Sequence, residues 1–211
     1  MTVSSLIPTI PEDFDPIAAG AEIRQVRKAR GLTLKDLSGR VDRSVAYLSR
    51  IERGEVRVSA KLLAGIGAAL DVDPVWFFPE RQGAGPRERA HVVRSEARRP
   101  LSNLYTRSVD ELGFEDELIS SSLAGGHYMM LSHFPAGAEH PTSPAEGYAY
   151  EGEQHGYVIR GLVELTLDGE IIILEAGDGF SYPTELPHRF RNASKKDALV
   201  VMTMAPVRIT W

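Results

Sequence analysis

Apolar positions along this chain follow two different periods. Between residues 19 and 78 they recur every three to four positions, the spacing of helices with one buried face. Ile23 and Val26 begin such a stripe ahead of Gly31. Thr33 suits the N-cap of a helix carrying Leu34, Leu37 and Val41. Ser44 suits another, with Leu48 and Ile51 on its buried side and Gly54 ending it. Ser59 opens a fourth through Leu63, Ile66 and Leu70, and "DPVWFF" predicts a short fifth turn with Pro74 near its start.

From about residue 90 the pattern shortens. "HYMMLSHF", "YVIRG", "LVELTL", "EIIILEAGD" and "ALVVMTMAPV" are apolar runs separated by Gly, Pro, Asp and Asn. Asp-Gly inside "LTLDGEIIIL" predicts a hairpin, and many short strands in series predict an all-β sandwich or barrel. The intervening stretch 80–100 reads as a linker that becomes a first strand at His91–Arg94. The expected layout is a flexible arm over 1–18, a helical domain over 19–79, the linker over 80–100 and a β domain over 101–211.

Charge sharpens this division. Formal net charge is −5, yet residues 20–61 hold eleven basic and five acidic side chains, and the remainder holds thirteen and twenty-four. A basic helical domain on an acidic partner is the asymmetry expected when one part meets phosphate; a solvated basic helix face is the alternative. The chain has no cysteine, which excludes a disulfide framework and a cysteine zinc site. No apolar run approaches the ~20 residues that span a bilayer, and the N-terminus lacks a basic region followed by an apolar block. A cytoplasmic location, away from membranes, is expected.

The helix ending near Val41, the turn at Asp42-Arg43 and the helix from Ser44 form a helix-turn-helix candidate. The stretch "IRQVRKARGLTLKDLSGRVDRSVAYLSRIERG" resembles the DNA-binding domain of the XRE family, the lambda and 434 repressor-like regulators. That resemblance implies a five-helix bundle whose third helix lies in the major groove of operator DNA. It implies Ser44, Val45, Ala46 and Arg50 at base edges, Arg50 being suited to bidentate guanine recognition. Thr33, Lys35, Arg43, Tyr47, Arg53, Arg57 and Lys61 are the candidates for phosphate. It also implies a structural pair between Arg27 and Glu52. Val45 and Ala46 offer no side-chain hydrogen bond, so part of the specificity is left to DNA shape.

"GDGFSYPTELPHRFRN" has the spacing G-x5-P-x4-H-x3-N and resembles the second motif of the cupin superfamily, with "YAYEGEQHGYVIRG" in the frame of the first. The resemblance implies a double-stranded β-helix barrel around a central pocket. Metal-dependent cupins bring two histidines and a glutamate from the first motif and one histidine from the second. Here those positions hold Tyr148, Tyr150, Gln154 and His188. Gln is a weak neutral donor and Tyr must first lose a proton of pKa near 10, so neither a metal nor another cofactor is expected. A set of His133, Tyr148, Tyr150, Gln154 and His188 suits a small organic ligand instead. A metal held by His133, His188 and an oxygen stays open, as does a purely structural His188; His91 and His127 are expected at the surface.

The combination resembles XRE-family regulators with a C-terminal cupin sensor domain. It implies a homodimer, not an enzyme, whose operator binding responds to a small-molecule effector. The alternative is a metal-dependent cupin oxygenase, such as the fosfomycin-forming epoxidase, with a structural helix-turn-helix domain. The sequence identifies neither the effector nor the target operon.

Overall fold

The computed structural model describes residues 10, 14–78, 91–105, 109–139 and 147–207. Helix α1 spans Pro16–Ala29, α2 Leu34–Val41, α3 Val45–Glu52 and α4 Ala60–Leu70. Local chemistry sets each start. Asp15, Thr33, Ser44 and Ser59 all accept a first-turn amide on their side chains, and Thr33 and Asp36 complete a reciprocal capping box. α1 thus begins inside the stretch expected to be a flexible arm, because Asp15 and Pro16 are an N-cap and a first-turn proline. The fifth helical element is a 3-10 turn, Pro74–Phe77, rather than an α-helix. Ile23, Val26, Leu37, Leu48, Ile51, Leu63, Ile66 and the rings of Trp76 and Phe77 form the helical core, each at most 2% exposed.

Residues 79–90, the body of the predicted linker, lie outside the described residues. The strand predicted at His91–Arg94 is not formed. That segment runs into a 3-10 turn, Ser95–Ala97, and the first strand is β1, Arg99–Pro100. Two short helices follow, α5 (Ser102–Tyr105) and α6 (Val109–Leu112). The remaining strands are β2 (Glu115–Leu118), β3 (Tyr128–Phe134), β4 (Glu153–Arg160), β5 (Leu162–Leu167), β6 (Glu170–Glu175), β7 (Gly179–Pro183), β8 (His188–Arg191) and β9 (Ala198–Ala205).

They form a six-stranded sheet in the order β1-β2-β3-β9-β4-β7 and a three-stranded sheet in the order β6-β5-β8. The predicted hairpin joins β5 to β6, with Asp168 and Gly169 both at positive φ, 49° and 83°. Two successive left-handed residues give the tight turn that matches strand twist. Gly161, between β4 and β5, sits at φ 83° with an added Cβ only 2.6 Å from the Asp197 carbonyl oxygen, so no side chain fits there.

The first-motif segment is not one continuous strand. Tyr148 forms an isolated bridge with His188, Gly152 takes φ 146°, and β4 begins only at Glu153. The break lies at that glycine, whose backbone conformation is open essentially only to glycine.

Candidate functional site

In the helix-turn-helix, Asp42 takes the left-handed conformation that closes α2, at φ 50° and ψ 52°. The turn therefore forms without a glycine. Ser44 then starts α3, accepting the Tyr47 amide at 3.2 Å. Behind the helix, Arg27 and Glu52 form a buried two-point ion pair. The Arg27 Nε donates to one carboxylate oxygen at 2.6 Å and Nη2 to the other at 3.0 Å. Arg27 Nη1 also donates to the Leu32 carbonyl at 2.6 Å, so α1 fixes the end of α3 and the loop before α2 together.

On the outer side of this anchored helix, Ser44, Val45, Ala46, Arg50 and Arg53 are exposed and Tyr47 is half-buried. Thr33, Lys35, Arg43, Arg57 and Lys61 are exposed as well. Glu55 stands among these cations, 3.6 Å from the Arg50 Nε and hydrogen-bonded by Arg53. The Arg53 hydrogen bond holds the Glu55 carboxyl below its ordinary pKa. This acidic residue was not among the sequence candidates, although its place beside Gly54 in "RIERGE" puts it at the foot of α3.

The second site lies in the β domain, a pocket open to solvent. It brings together Tyr148, Tyr150, Gln154 and His188, four of the five ligand candidates. His133 is not on its wall. Its Nε2 lies 3.4 Å from Asp197 Oδ2, on the half-exposed side of β3. Strand alternation explains this: Met130, Ser132 and Phe134 face the cavity, and His133 lies between the last two. His155 is exposed while Gln154 is buried, by the same alternation on β4, and His91 and His127 are exposed. His140 lies outside the described residues.

Gln154 is held at both ends. Its Oε1 accepts the Tyr182 hydroxyl at 2.6 Å, and its Nε2 donates to the Met202 sulfur at 3.0 Å. His188 Nδ1 lies 2.9 Å from the Leu186 carbonyl, which selects the tautomer with hydrogen on Nδ1 and a lone pair on Nε2. Burial lowers the His188 pKa, so the ring is neutral at pH 7. It packs against Tyr150 and Tyr182 at 5.3 and 5.0 Å between ring centroids. Burial, with the charge of Asp116 a smaller contributor, pushes the Tyr150 hydroxyl far above its ordinary value; burial does the same to Tyr182.

This chemistry does not fit a first-row metal. Two of the phenols are held protonated, the Gln154 oxygen already accepts a hydrogen bond, and among the described residues His188 is the one imidazole on the wall. Among the described residues no three His, Cys, Asp or Glu side chains converge as a metal site.

Further wall residues came from outside both motifs: Phe114 and Asp116 beside and on β2, Ser132 on β3, and Met202 and Met204 on β9. Asp116 and Ser132 are direct cross-strand partners, 5% and 1% exposed. The alternation Phe114-Asp116-Leu118 in "FEDEL" was the signal that could have found the first of them.

Residues 18–75 match the family described as a helix-turn-helix domain, and residues 130–204 match the family described as a cupin domain. The HTH-type transcriptional regulator SutR of Escherichia coli is 26% identical over 178 residues, covering 82% of this chain and 86% of SutR. The chain pairs a helix-turn-helix domain with a cupin domain, and relatives that match most of its length are HTH-type transcriptional regulators. Two further similarities are narrower or weaker. The polyketide synthase CurC of Streptomyces cyaneus is 36% identical over 63 residues, which is 30% of this regulator and only 41% of CurC. A solved HTH_3 family transcriptional regulator from Vibrio cholerae shares 18% identity, with coverage of 90% and 96% and a TM-score of 0.40.

The two domains of the regulator touch through specific polar contacts. Arg99 Nη1 donates to Glu22 on α1 at 2.9 Å, and its guanidinium lies 4.2 Å from the centroid of the Trp76 ring. Arg30 Nη2 donates to the Asp71 and Leu104 carbonyls, both at 2.7 Å. The Leu123 amide donates to Gln25 Oε1 at 2.8 Å. No helix among the described residues is long and apolar enough to cross a membrane.

Proposed function

We propose that this regulator binds operator DNA through α3 and changes its affinity when a small organic effector occupies the cupin pocket. One observation carries the reading. α3 is fixed from behind by the Arg27–Glu52 pair while Ser44, Val45, Ala46 and Arg50 are exposed on its outer side. A helix so held can enter the major groove without first paying to be ordered. Arg50 reads guanine, and Thr33, Lys35, Arg43, Tyr47, Arg53, Arg57 and Lys61 position phosphates.

The contacts between domains support the coupling. Asp116 on the pocket wall accepts the Leu101 amide on its main-chain oxygen at 2.7 Å. Leu101 directly follows β1, whose Arg99 holds α1 and Trp76. An effector that shifts β2 therefore acts on the DNA-binding domain through one short ribbon, provided it binds the two arrangements with different affinity. The active species in this reading is a cytoplasmic homodimer, its two α3 helices about 34 Å apart on a palindromic site. The pocket senses and does not catalyse, since its donor set lacks the ligands of a metal cupin.

Anisotropy titration of the purified chain against its own upstream DNA tests the reading. Specific binding below micromolar, altered by a small molecule, is expected; no specific binding under any condition overturns it.

A further inference from the structure

We propose that the pocket takes a protonated amine carried on an apolar body, with the ammonium group seated at Asp116 and Ser132. The proposal rests on reading the pocket as the effector site and names the chemistry of that effector. Asp116 on β2 and Ser132 on β3 stand directly opposite each other in an antiparallel pair, both facing the cavity. Side chains so paired have Cβ atoms about 5 Å apart, close enough for one small group to touch both.

Ser132 is 1% exposed, and among the described residues its Oγ has no hydrogen-bond partner. A buried hydroxyl left in that state is costly, and a donor on a ligand removes the cost. Asp116, 5% exposed, adds a carboxylate beside it. The two groups together present oxygen lone pairs and negative charge, which attract a cationic N–H donor and repel an anion.

Aromatic and thioether side chains make up much of the rest of the wall. Phe114 and Phe134 lie 5.3 Å apart between ring centroids and Phe134 and Phe190 6.0 Å, a run of aromatic surface that favours a nearby cation and an apolar body. Met130, Met202 and Met204 add thioether surface that adapts to the ligand's shape. The neutral His188 presents Nε2 as a further acceptor rather than a competing positive charge. Arg189 is also on the wall; its Nη1 lies 3.8 Å from Glu139, and its Nε is buried without a hydrogen-bond partner among the described residues, a donor that an acceptor on the ligand's body would satisfy.

The test uses the full chain at pH 7 and three probes with nearly the same body: 2-phenylethylamine, 2-phenylethanol and 3-phenylpropionate. Calorimetric titration and thermal shift should show the amine binding about tenfold or more tighter than the alcohol, with the acid weaker still, in line with a hydrogen bond to a charged group. Asp116→Asn should abolish that preference for the amine. Ser132→Ala, a milder change should Asp116→Asn fail to fold, should weaken amine binding several-fold. Equal binding of all three probes, tighter binding of the acid, or an undiminished amine preference in both variants overturns the proposal. If a wider metabolite screen finds only neutral or anionic ligands, the amine assignment falls and the sensing reading stands. If no small molecule stabilises the chain, both fall.

Discussion

Arg99 and Glu22 join the two domains at 2.9 Å, the guanidinium also covering the Trp76 ring. Glu22 is 2% exposed, so the pair is desolvated on its acidic side. Removing the cation strands a buried carboxylate, which costs far more than the pair contributes relative to apolar replacements. The residue sits at the first position of β1, where the chain enters the β domain, and this gives it a role in coupling as well as in stability.

Arg99→Ala should lower stability by about 2–4 kcal/mol, from the stranded Glu22 and the lost ring contact. Chemical denaturation checks this. The companion Glu22→Gln/Arg99→Met change should recover part of the loss. In both variants operator affinity without effector should stay within about threefold of wild type while the effector response shrinks, because the DNA-reading side chains are untouched.

Arg27→Ala should be more damaging to the helical domain. It breaks both hydrogen bonds to the buried Glu52 and frees the Leu32 carbonyl. A loss of about 3–5 kcal/mol is expected from an unpaired buried charge. Circular dichroism melting would register it as reduced helicity in the altered chain near 37 °C.

Arg50 and Glu55 make opposite predictions for DNA. Arg50→Ala should cost about 1–3 kcal/mol of specific binding and relax selection at a single base position, read from affinities for a set of single-base operator variants. Glu55→Gln removes the carboxylate that holds Arg50 and Arg53. It should strengthen non-specific binding and steepen its dependence on salt, since two cations then become free for phosphate. The Glu55 carboxyl is held below its usual range, so wild type keeps these pairs throughout pH 5–8.

His188 sets a pH signature. Its folded pKa lies below the ordinary 6.5 because burial disfavours the charged ring. The unfolded chain therefore takes up a proton first as pH falls below that value, and stability declines until the folded ring also titrates. His188→Gln should remove this part of the pH dependence below pH 6.5 and leave stability at pH 8 less pH-sensitive but lower, from lost packing against Tyr150 and Tyr182. Urea midpoints at pH 5.5, 6.5 and 8 would separate the two effects.

Much of the fold was legible because the deciding chemistry is local. Thr33, Ser44 and Ser59 cap helices within three residues of themselves, and Asp168-Gly169 makes a turn from its own backbone preferences. The start of the first-motif strand was not legible, since the strand break falls at Gly152 and a glycine in a strand pattern fixes no position by itself. His133 was chosen for its chemistry, and the phase of β3 turns it away from the cavity. Asp116 and Ser132 depend on the register between β2 and β3, which joins strands separated by a loop and is set by long-range packing. Arg99 looked like one of many linker charges; its partners Glu22 and Trp76 lie far away in sequence.

Pocket occupancy is expected to change operator affinity. Fluorescence anisotropy on a labelled fragment of the chain's own upstream DNA, titrated with protein in the presence and absence of the amine probe or another stabilising metabolite, measures it directly. A shift of about fivefold or more in affinity, of the size typical for coupled sites, is expected, reduced in Arg99→Ala and lost for the amine in Asp116→Asn. Identical operator affinity with the pocket empty and saturated would contradict it.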